Sequence, residues 1–88
     1  MQNTKKPSSS FNSSSVITDS VESIEDAQNI IVIKTHSGMA NPVAICIESM
    51  SIPHLVGSVA GDDTIMIVIK HESYAKDVVR YLKTAFKV

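Results

Sequence analysis

A single cysteine, Cys46, excludes any disulfide within this 88-residue chain. Metal chemistry is equally poorly provided for, because His36, His54 and His71 stand far apart and form no ligand spacing with Cys46. No apolar run approaches the roughly 20 residues of a membrane-spanning helix. The polar N-terminus lacks the apolar h-region of a signal peptide, so an intracellular, reducing, cytoplasmic location is expected. A net charge of −1 argues against a broad field for nucleic acid. Gly-rich phosphate loops, nucleophile elbows and metal motifs are all missing, so the chain does not read as an enzyme.

What is present divides the chain in two. Six serines fall within the first fifteen residues, where Phe11 is the only large apolar residue after Met1. Such a segment buries too little surface to offset its ordering entropy, and residues 1–15 read as a linker or disordered tail. Residues 16–88 then form one small domain whose core is marginal alone. With disulfides excluded and metal unsupported, oligomerisation is the expected source of further stability. Charge is also uneven. Between Asp19 and Asp63 there are seven acids against one base, Lys34. That acidic stretch suits either a cationic small ligand or simple solubility.

Hydrophobic periodicity supplies the elements. Val16 to Ile24 alternates loosely and predicts a half-buried strand, followed by a turn over residues 25–29. Ile30-Ile31-Val32-Ile33 is a continuous β-branched run, which predicts a central strand covered on both faces. A helix ending near Met50 follows. Asn41-Pro42 suits its N-cap and first position, although Ser37-Gly38 offers an earlier start. Val43, Ala44, Ile45, Cys46, Ile47 and Met50 point in nearly every direction, so this helix needs cover on more than one side. One sheet covers only one side, so a second subunit is expected on the other. Leu55–Ala60 and Thr64–Ile69 read as a hairpin, with Gly57 marking a bulge or a close backbone approach. Ser73 is a candidate N-cap for a last helix, with an apolar stripe at Ala75, Val78, Val79, Leu82, Ala85 and Phe86 and a basic one at Lys76, Arg80, Lys83 and Lys87. The fold class is α+β, of order ββαββα, with two helices packed on a four-stranded antiparallel sheet.

The candidate chemistry lies at the hairpin tip, Gly61-Asp62-Asp63. Glycine there suggests a backbone at positive φ, and Asp is ordinary turn chemistry, so a plain solvated turn is one reading. The other is an acidic clamp for a guanidinium or ammonium group, built by two carboxylates at a subunit interface. Adjacent side chains on an extended chain point to opposite faces, which disfavours a catalytic dyad. Glu48 is the one acid on the apolar helix, either a surface position or a cation's partner. Asn41 lies seven residues earlier on nearly the same face, with N-capping as its simplest role. Cys46 reads as a buried, inert thiol.

The run Ile31-Val32-Ile33-Lys34-Thr35-x-x-Gly38, a small-residue helix, and Leu55-Val56-Gly57-Ser58-Val59-Ala60-Gly61-Asp62-Asp63-Thr64-Ile65 together resemble the C-terminal domain of bacterial arginine repressors. The resemblance covers about residues 16–88. It implies an L-arginine-sensing oligomerisation domain of an arginine-dependent transcriptional regulator, assembled as a hexamer of two stacked trimers with L-arginine as co-repressor between them. On that resemblance Asp62 and Asp63 hold the arginine, Ala40, Asn41 and Glu48 contribute from the helix, and Ser58 matches a hydroxyl position near the ligand. The family often has Gln at the position of Asn41 and Asp at that of Glu48, and commonly a Pro before Gly38. The winged-helix domain through which family members bind DNA has no counterpart in these residues, so DNA contact is expected only through such a domain. A ligand-independent trimerisation module, or a modulatory partner of a full-length repressor, is the alternative reading.

Overall fold

The structure, a computed structural model, describes residues 15–88. The Ser-rich segment lies outside the described residues except for Ser15, which is helical. Four strands, β1 (Val21–Ala27), β2 (Ile30–Thr35), β3 (Leu55–Ala60) and β4 (Thr64–Ile69), and two helices, α1 (Ala40–Ser49) and α2 (Glu72–Phe86), follow one another as ββαββα. The sheet is antiparallel throughout, in the order β1-β2-β4-β3. Helix α1 lies over β3 and β4, and α2 lies mainly over β1 and β2.

Alternation along the strands decides the core. Ile31 and Ile33 of β2 and Ile65, Ile67 and Ile69 of β4 are fully buried beneath the helices. They meet Val43 and Ile47 of α1 and Val78, Leu82 and Phe86 of α2. Their neighbours along each strand face the other way, as a period of two requires.

That other face corrects one expectation. Ile30 and Val32 are only half-buried, because nothing in the described residues covers the open side of the sheet. Val59 is 68% exposed, Met66 42% and Val68 38%, and in the strand register they lie beside Val32 and Ile30. The unpartnered apolar surface is therefore chiefly on the sheet. On α1 the outward residues are Asn41, Ile45, Glu48 and Ser49, of which only Ile45 is large and apolar.

Four boundaries also differ from the sequence reading. Residues 15–19 are helical rather than extended, and the buried Ser20 ends them, its hydroxyl donating to the Ile17 carbonyl at 2.7 Å. Strand β1 begins at Val21 and runs through Glu25-Asp26-Ala27, leaving only Gln28-Asn29 as the turn. The β1–β2 ladder overrides the poor strand propensity of those acids, pairing Glu25 with Val32 and Asp26 with Ile31. Lys76 of α2 pairs with Asp26 at 3.4 Å, and the turn is stitched to the end of β4, the Ile69 N–H donating to the Asn29 carbonyl at 2.8 Å. Helix α1 begins at Ala40, with Met39 at its N-cap, so Asn41 is not the cap. Pro42 falls within the first turn, where a missing N–H costs nothing. In α2 the N-cap is His71, not Ser73, and Ala85 is exposed.

Gly57 does sit at a bulge, since the β3–β4 register shifts between Leu55 and Gly57. Its surroundings are open within the chain: a side-chain methyl added there would meet no atom within 4 Å.

Candidate ligand-binding site

The β3–β4 tip is fastened on both sides by its own backbone. The Gly61 N–H donates to the Thr64 carbonyl at 2.8 Å, closing the turn. The Asp63 carbonyl accepts the Thr35 N–H at 2.8 Å, which prolongs the pairing between β2 and β4. The Asp62 carbonyl accepts the Ala40 N–H at 3.2 Å, satisfying one of the orphan donors at the start of α1. The tip thus caps the helix in place of an Asn41 side chain, and two exposed carboxylates are held on a rigid frame.

Their side chains take different partners. Asp62 is on the α1 side, where the Ser37 hydroxyl donates to its Oδ2 at 3.1 Å. Asp63 is tied to the residues at the ends of β2 and β4. The Thr64 hydroxyl donates to its Oδ1 at 2.8 Å, Lys34 Nζ donates to that hydroxyl at 2.8 Å, and Lys34 Nζ lies 3.8 Å from the same Oδ1. Nearby, His36 Nε2 is 3.6 Å from Glu22 Oε2.

One expectation about this turn fails. Gly61 does not adopt positive φ; the glycine that does is Gly38, at +78°, in the β2–α1 loop under the tip. A methyl group at Gly61 would meet only the Thr64 carbonyl, at an ordinary 3.8 Å.

The six residues singled out from the sequence are only partly brought together. Asp62, Asp63, the buried Ala40 and the exposed Asn41 gather where the tip meets α1. Glu48 shares the outward face of α1 with Asn41, about 10 Å further along the axis at a rise of 1.5 Å per residue. Ser58 is half-buried and pairs with the buried Ile67, which puts it on the helix-covered face of the sheet rather than at the tip. Within one protomer these groups do not enclose a cavity. A groove of about 650 Å³ lies instead at the far end of α1, lined by Met50, Ile52, His54, Tyr74 and Tyr81 among others. Sequence reasoning did not single out Ser37, Lys34 or Thr64 as site residues. Thr64 was visible only as a member of the hairpin motif, Lys34 only in its motif and as the one base of the acidic stretch, and Ser37 only as a possible helix start.

Cys46 is half-buried against the core, and desolvation pushes its thiol up from the ordinary 9.0. The thiol form is favoured, in keeping with an unreactive packing residue. Among the described residues no group of His, Cys, Asp and Glu could hold a metal ion, and no helix is long and apolar enough to cross a membrane.

A ββαββα order with an acidic hairpin tip docked on the first helix defines a small α+β domain. Residues 17–84 match the family model "Arginine repressor, C-terminal domain", and the chain belongs to that family. Proteins named arginine repressor are its relatives. That of Acetivibrio thermocellus is 46% identical over 72 residues, covering 82% of this chain and 47% of the relative. That of Clostridium acetobutylicum is 37% identical over 83 residues, covering 91% of this chain and 55% of the relative. That of Moorella thermoacetica is 48% identical over 52 residues, covering 59% and 34% respectively. The chain thus spans about half the length, or less, of these relatives. The relatives' name is that of a transcriptional regulator rather than an enzyme.

Proposed function

We infer that this chain is an L-arginine-sensing oligomerisation domain of an arginine-dependent transcriptional regulator acting on arginine metabolism genes in the cytoplasm. The observation that carries the reading is the pair Asp62 and Asp63, exposed on a backbone fastened to both β2 and α1, in a chain of this family. Asp62 and Asp63 hold the cationic ends of arginine, with Ala40 and Asn41 beside them. Glu48 and Ser58 reach the ligand only from a neighbouring copy, because neither lies at the tip of its own protomer. Trimers form first, and arginine bridges two of them into a hexamer by neutralising carboxylates brought face to face. A ligand that binds the assembled state more tightly stabilises it by mass action. DNA is reached through a winged-helix domain outside these residues.

The test is the mass of the purified chain by light scattering, with and without millimolar L-arginine, with L-lysine and L-citrulline as controls. An arginine-specific shift from trimer to hexamer, lost in Asp62→Asn/Asp63→Asn, is the expected result. Arginine affinity unchanged in that double variant would overturn the site.

The open sheet face favours a second reading. Val59, Met66 and Val68 leave an apolar surface uncovered within the chain. A ligand-independent trimerisation module is the outcome if the assembly forms but ignores arginine in both mass and direct titration.

A further inference from the structure

We propose that Lys34 sets the charge selectivity of the acidic tip, adjusting it to a ligand of net charge +1. This rests on the arginine-sensing reading and asks what that site excludes. Two carboxylates alone would favour a dication. Lys34 is the only lysine or arginine between Asp19 and Asp63, and it is placed against one of the two acids. Its Nζ lies 3.8 Å from Asp63 Oδ1 and donates to the Thr64 hydroxyl, which in turn donates to that same oxygen. The strand register positions it, since Lys34 on β2 lies directly opposite Thr64 on β4. Among the described residues Asp62 receives only the neutral Ser37 hydroxyl.

The tip therefore carries two negative charges and one built-in positive charge, a local sum of −1. L-Arginine, with a guanidinium, an ammonium and a carboxylate, matches that sum. Agmatine, which is arginine without its carboxylate, carries two positive charges and meets the repulsion of Lys34 with no compensating anion. Lys34 and Asp63 are each about half exposed, 48% and 52% at the side chain, so water screens the effect. One unit charge a few ångströms away in such a setting corresponds to about three- to five-fold in affinity.

The experiment is calorimetric titration of the chain with L-arginine and with agmatine, at low and at high salt. The proteins are wild type, Lys34→Met, Lys34→Gln and Lys34→Arg. In the wild type L-arginine binds more tightly. Both neutral variants narrow the arginine-to-agmatine ratio about three- to five-fold, through a larger gain for agmatine, and Lys34→Arg keeps the wild-type ratio. The shift shrinks at high salt. Two neutral variants guard against a folding defect in either. A ratio unchanged in both neutral variants overturns the proposal, as does a Lys34→Arg variant that shifts as far as they do. A wild-type chain that binds neither ligand overturns the arginine-sensing reading itself, and this one with it.

Discussion

Two glycines close to the candidate site should respond in opposite ways to the same substitution. Gly38 lies at φ +78° and Gly61 does not lie at positive φ, although Gly61 is the one in the turn-like sequence. Replacing either by Ala restricts the unfolded chain equally, a stabilising effect of about 0.4–1 kcal/mol where the native backbone suits Ala. At Gly61 that gain is kept, because the added methyl meets only the Thr64 carbonyl at 3.8 Å. At Gly38 no atom lies within 4 Å, so there is no clash, but the left-handed backbone costs an L-residue about 1–2 kcal/mol. The unfolded-state contribution cancels when the two variants are compared. Gly61→Ala should therefore exceed Gly38→Ala in stability by about 1–2 kcal/mol, or roughly 4–16 °C in Tm for a domain of this size. The assay is urea unfolding at several fixed protomer concentrations, since assembly contributes to apparent stability. Equal destabilisation in both variants, or a larger loss at Gly61, would refute the reasoning and restore the tip glycine as the strained one.

Three further outcomes follow from the same structure. Val59→Lys and Met66→Lys, on the open sheet face, should lower the mass of the assembly in sedimentation while leaving far-UV circular dichroism unchanged; an unaltered mass in both would place the subunit contact elsewhere. Cys46, with its thiol pushed up by desolvation, should resist alkylation at pH 7 in the folded chain and react once urea exposes it. Because its folded value is the raised one, its contribution to stability is fully present below the ordinary 9.0 and is lost as pH rises through the folded value. Cys46→Ala should remove that alkaline decline, read as urea midpoints at pH 8 and above.

Much of this protein was legible in local pattern. The β-branched run at Ile30–Ile33, the paired runs around Gly61-Asp62-Asp63 and the apolar stripe of α2 each carry their period in a few consecutive residues. The ββαββα order followed, and so did the two carboxylates at a hairpin tip. What failed was decided by distant partners. Asp26 is carried into the strand by pairing with Ile31 of β2 and lies against Lys76, 50 residues away, and residues 15–19 are helical despite their loose alternation. Asn41 is released from capping because the Asp62 carbonyl takes the Ala40 N–H. The glycine under strain is Gly38, since the β2–α1 loop, not the hairpin tip, makes the left-handed turn.

By itself, then, the order of residues determined the elements, the faces they bury and the presence of an acidic pair, because these depend on periods of two and 3.6 that a short window contains. Only the tertiary structure decided what surrounds the acidic pair. Packing α1 over β3 and β4 brings Ser37 within reach of Asp62 across 25 positions, and pairing β2 with β4 brings Lys34 to Asp63. It also separates Glu48 and Ser58 from the tip and leaves Val59, Met66 and Val68 uncovered. These are consequences of which distant segments meet, and no local pattern encodes a meeting between them.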